Sequence, residues 1–132
     1  MESVDLALLN PHRILHECHA AMQGTADQLA WLDANARFHR TIYARSGRPR
    51  WVALIESLRS HTDRYLHLHL AAVGGTGSLH EEHAQILEAV EARDAAQVEA
   101  LTLAHLQSSH DFILELLAAS DPGHAAFARR AP

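Results

Sequence analysis

Lysine is absent from this 132-residue chain, so all 11 basic residues are arginine, against 16 Asp plus Glu and a net charge of −5. An acidic domain with no basic stripe is a poor candidate for binding DNA by itself. There is one cysteine, Cys18, which excludes an intrachain disulfide framework and fits a reducing, cytoplasmic setting. No apolar run reaches about 18 residues, so no membrane span is expected. The N-terminus is acidic and lacks the basic start and small-residue cleavage site of a secretory signal. Glycine and proline are scarce, at 6 and 4. A sandwich or barrel needs turn residues every 8–12 positions or so, and their shortage favours long helices.

What remains is apolar enough, at 48%, to fill one core. Five helices follow from start signals, stop signals and apolar period. The first is expected from about Pro11 to Met22, with Asn10 as N-cap and Pro11 where its missing N–H costs nothing. The second is expected from a capping box at Thr25 and Gln28 to about Arg45, the third from about Pro49 to Ala72. The fourth starts at a box of Ser78 and Glu81 and ends near Ala92. The fifth starts at a box of Asp94 and Gln97 and runs to about Ala119. Short turns between long helices make neighbours antiparallel. The expectation is one all-α domain over residues 1–132, an antiparallel bundle of about five helices. Its core covers about residues 10–119, with a tail at 120–132.

Histidine is the outlier, with 12 in the chain. Three of them sit mid-stripe on different helices. Asn35 and His39 share a face with Leu32 and Ile42. His83 shares one with Leu79, Ile86, Leu87 and Val90. His105 shares one with Val98, Leu101 and Phe112. A bundle turns such stripes toward one axis, and an unpartnered buried imidazole costs a few kcal/mol. A divalent metal held by three imidazoles and the Asn35 oxygen would use every lone pair. The competing reading satisfies each histidine separately, by a carbonyl or a hydroxyl. Of the rest, His12, His16 and His19 have metal-capable spacing but read as a solvated face. His67 and His69 cannot share a face, His61 could be interior, His80 could support His83, and His110 lies off the His105 face. His124 is in the tail.

Asn35, Phe38 and His39, followed by Ser46 and Gly47, resemble a "D/N-x-x-F-H … a-S-G-N" segment. Glu82, His83, Ile86, Leu87 and Ala89, then Asp94, His105 and Leu106, resemble "E-H-x-x-I-L-x-A … D … H-L". Together, in order, over roughly residues 10–119, they resemble the FadR-type ligand-sensing domain (FCD) of GntR-family bacterial transcriptional regulators. The resemblance implies an all-helical bundle around zinc, nickel or manganese, with zinc first. By position its ligands are Asn35, His39, His83 and His105. It also implies a small carboxylate effector beside the metal and a homodimer that meets DNA through a separate winged helix-turn-helix domain. No counterpart of that domain, or of the family's first sensing-domain helix, is found in this sequence, and Arg48 replaces the asparagine after Ser-Gly.

Arg59, Thr62 and Tyr65 on the third helix are the candidates for holding the far end of an effector, since an arginine fork matches a carboxylate. For Arg59 the competing reading is a surface ion pair with Glu56 or Asp63. No catalytic residue is expected. A metal-dependent hydrolase and a plain bundle are the alternatives, but the spacing from His80 to His83 is one residue short of the His-Glu-x-x-His pattern.

Overall fold

In a computed structural model of the chain, residues 10–73 and 77–120 are described. The side chains of residues 68, 69, 71–73, 77, 78 and 120 fall outside that description. So do the N-terminal segment 1–9, the turn at 74–76, the capping role of Ser78, the ring of His69, and the tail with His124. Five helices are present: α1 (Pro11–Gly24), α2 (Gln28–Ala44), α3 (Pro49–Val73), α4 (Gly77–Glu91) and α5 (Ala95–Ser120). There is no strand among the described residues, and no described helix is long and apolar enough to cross a membrane.

Local chemistry explains the boundaries. The Asn10 side chain accepts from the His12 N–H at 3.0 Å and opens α1. The expected box at Thr25 is displaced: Thr25 Oγ1 accepts from the Asp27 N–H, and Asp27 itself caps α2 by accepting from Leu29 N–H. Asp precedes the helical residues directly, so its carboxylate reaches the first free amides that Thr25 would have served. Gly47, at φ +65°, supplies the left-handed step that lets the chain leave α2 and enter α3.

The α4–α5 turn uses a less favourable residue for the same purpose. Arg93 sits at φ +55°, with its N–H on Val90 O and the Asp94 N–H on Ala89 O. That is the paired closure of a helix end in which glycine is usual. The Asp94 carboxylate then caps α5 through the Gln97 N–H at 3.0 Å. Arg93→Gly should therefore stabilise the fold by about 0.5–1 kcal/mol, seen as a higher urea midpoint at unchanged slope. A lower midpoint would mean that the arginine side chain contributes more than its backbone costs.

The helices pack as a closed ring in the order α1, α2, α3, α5, α4 and back to α1. Each touches its two ring neighbours. The backbones of α2 and α4, and of α2 and α5, do not approach, so side chains alone fill the space between them. The core is uneven. Leu15, Cys18 and Met22 from α1, Trp31, Leu32 and Phe38 from α2, and Leu79, Ile86 and Leu87 from α4 are all buried. Burial pushes the Cys18 thiol pKa up, which makes it an inert packing residue. Among the described residues of α3, Leu70 joins this core and Leu66 packs against it, as does Leu101 of α5. Leu54 and Leu58 of α3 and Leu103 and Leu106 of α5 stay exposed.

Candidate metal centre and the cavity beside it

The centre of the ring is where α2, α4 and α5 send side chains across. His39, His83 and His105 are all buried, and one nitrogen from each lies within 4.8 Å of the other two. His39 Nε2 stands 3.2 Å from His83 Nε2. Two nitrogens each about 2.0–2.1 Å from one ion stand about 3.0–3.4 Å apart, so this spacing suits shared coordination.

Second contacts fix the tautomers. The His83 Nδ1–H donates to the Leu79 carbonyl at 2.7 Å. The His105 Nδ1–H donates to the Glu82 carboxylate at 2.5 Å. Both rings therefore keep the Nε2 lone pair free for a ligand bond, as in metal sites where the other ring nitrogen is tied to a carbonyl or carboxylate. Phe38, fully buried, packs edge-on against His39 and His83 with centroids 5.4 and 5.1 Å away, and so sets both ring planes. Burial, reinforced by the neighbouring His83, His105 and Arg59, holds the His39 pKa well below its ordinary value. Burial, with His105 beside it, lowers that of His83 to about 3. Neutral imidazoles are the form that binds a metal.

The donor set of imidazole nitrogens suits a divalent transition ion. Asn35, one turn before His39 and 4% exposed, has an Oδ1 with no hydrogen-bond partner. Separate satisfaction explains the Nδ1 atoms of His83 and His105. It leaves His39 with His83 as its one hydrogen-bonded neighbour, and leaves its Nδ1 and Asn35 Oδ1 without any.

A cavity of about 100 Å³ adjoins the imidazoles, lined by Asn35, His39 and His105 together with Tyr43, Arg59, Thr62 and Asp63. Arg59 reaches it from α3. Its side chain is 17% exposed and its Nη2 lies 3.7 Å from Glu56 Oε1, yet Nε and Nη1 are buried with no hydrogen-bond partner. The ion pair with Glu56 thus coexists with two unused donors. Thr62 lines the same cavity, with its hydroxyl donating to Arg59 O at 2.9 Å. Tyr65, the third candidate, is half-buried and is not among the lining residues. Ser109 is, whereas Ser108 faces outward.

Other expectations shift in detail. His80 does not support His83; its carbonyl accepts from the His19 ring at 3.2 Å. His16 is exposed and bonded to Glu91 of α4. His61 is exposed rather than interior, and His110, also exposed, bonds to Asp111. Two residues of the site were missed from sequence. Tyr43 follows His39 by four and stacks on it, a signal the helical period already carried. Glu82 precedes His83 and is turned about 100° from it, which aims it at α5.

Glu82→Gln should lower metal affinity by about 10–100-fold with little change in fold, because the amide is a weaker acceptor for the His105 N–H. Competition with a chromogenic chelator measures this. An unchanged affinity would show that His105 does not need the carboxylate.

A family model described as the FCD domain matches residues 10–108. No curated protein and no solved structure matches the chain.

Proposed function

The chain belongs to the FCD domain family, a family of regulatory sensing domains, and from that membership we propose that it senses a small carboxylate through a metal-centred site in a GntR-type transcriptional regulator. The observation that carries this reading is the convergence of three buried imidazoles, two of which, His39 and His105, line a cavity that also holds two unpartnered Arg59 donors. His39, His83 and His105 would hold the ion, with Asn35 as the fourth and weakest ligand. Zinc is the first candidate, nickel and manganese the others. When bound, a divalent ion with an open position supplies a Lewis-acid seat for an anion.

The protein's own part is orientation. Glu82 keeps the His105 tautomer, Leu79 O keeps that of His83, and Phe38 sets the ring planes. Arg59 Nε and Nη1 are buried donors without a partner on opposite edges of the guanidinium, and one of them would take one end of the effector. Since α2, α3, α4 and α5 all line the cavity, an occupant biases how these helices stand to one another. In a homodimer in the cytoplasm that bias would alter how DNA-binding domains carried elsewhere are spaced, a population shift between two arrangements. Glu82, the carboxylate next to His83, is occupied by His105 and so does not serve the hydrolase alternative as a free base.

Isothermal titration of zinc-loaded protein with acetate and other short carboxylates tests the reading. Arg59→Gln should keep the metal and lose about 10–100-fold in carboxylate affinity, the usual worth of hydrogen bonds to a charged group. Absence of carboxylate binding by the loaded protein, or equal affinity in the variant, would refute it.

A further inference from the structure

The small cavity beside the imidazoles continues into a larger space. Tyr43, Arg59, Thr62 and Leu106 line both it and a groove of about 570 Å³ between α2, α3 and α5. The groove lies within the range of about 300–1,000 Å³ typical of sites for organic ligands. The two spaces differ in chemistry. The inner cavity has imidazoles, an amide oxygen and the Arg59 donors. The groove is walled by Ile42, Ile55, Leu58, Val98 and Leu103. Leu58 and Leu103 are 59% and 65% exposed, an apolar surface that a ligand lying along it would cover. Beyond Arg59, the single ionisable carboxylate of the groove is Glu99, which repels a second anionic group.

Charge points the same way. Glu82, bonded to His105, offsets one of the two positive charges of a divalent ion, Glu56 pairs with Arg59 at 3.7 Å, and Asp63 lines the same cavity. Little positive charge is left over, so a di- or tricarboxylate adds repulsion that a monocarboxylate does not.

We propose that the effector is a monocarboxylic acid with an apolar tail of several carbons, its head between the imidazoles and Arg59 and its tail along the α3–α5 groove. The proposal rests on the carboxylate-sensing reading and narrows it. Burying each methylene is worth about a fourfold gain in affinity, so tail length dominates selectivity once the head is seated.

The experiment is calorimetric titration of the zinc-loaded protein with acetate, butyrate, hexanoate and octanoate, and with succinate and citrate. Affinity should climb about fourfold per added methylene, with succinate weaker than butyrate and citrate weaker than hexanoate. Leu58→Gln and Leu103→Gln, both at exposed positions, should flatten the climb and leave acetate affinity as in the unaltered protein. Equal affinity along the series, tighter binding of the polycarboxylates, or a climb untouched by both variants would overturn the tail assignment while carboxylate sensing stands. Failure of every acid to bind would overturn both.

Discussion

His83→Ala should abolish metal binding, dropping bound zinc from about one equivalent per chain to background. The ring is 0% exposed, and its Nε2 is the nitrogen closest to His39. Its centroid lies 4.7 Å from that of His105 and 5.2 Å from that of His39. Among the described residues it is the third member of the cluster His39, His83 and His105, whose nitrogens lie within 4.8 Å of one another. Zinc at a thousandfold excess over its dissociation constant stabilises the folded state by about 4 kcal/mol. For a domain of this size that is a rise in Tm of roughly 10–20 °C. The rise should vanish in the variant. The metal-free variant should also lose about 2–4 kcal/mol, because a ring packed against Phe38 and Trp31 is replaced by a hole. His83→Phe separates the two effects, keeping a ring in place and still losing the zinc-dependent rise. Stoichiometric zinc in either variant would remove the basis of the shared site.

The metal-free protein should lose stability steeply in mild acid. The folded-state pKa values of His39 and His83 are both depressed, the second to about 3, whereas in the unfolded chain each returns to about 6.5. Between those values the unfolded state holds the extra protons, so stability is full above about pH 6.5 and falls as the pH drops toward 3. For His83 the loss reaches about 2 kcal/mol by pH 5, and His39 adds to it in the same direction. Urea unfolding with a chelator present, at pH 7.5 and at pH 5, measures it. Equal free energies at the two pH values would mean that the rings accept protons in place, contrary to their burial. Zinc should make the acid limb steeper, since protonation then also expels the ion.

The stripes that carry Asn35, His39, His83 and His105 were legible because a 3.6-residue period places a polar residue among apolar ones without ambiguity. The structure does bring these four to the interior. Glu82 was not legible in its role, since a helical period states which face a residue shares and not which neighbouring helix that face meets. The same limit applies to Leu58, Leu103 and Leu106. A helical period does not say which neighbour, if any, their side chains meet, and in this structure they border an open groove. Asp27 displaced Thr25 as the cap of α2: two candidates lie two residues apart, Thr25 takes the Asp27 N–H and Asp27 takes the Leu29 N–H, and backbone angles decide which of them borders the helix. Tyr65 shares α3 with Arg59 and Thr62 but is not among the residues that line the cavity, whereas Asp63 and Leu66 on either side of it are.

The ring of five helices also bears on how a signal leaves the site. With no backbone contact between α2 and either α4 or α5, the imidazoles and the apolar side chains around them act as a clasp across a hoop of backbone. Loosening the clasp need not break any helix–helix seam. It can change the hoop's girth, so a small molecule that fills the middle could be read at the outer rim as a change of shape.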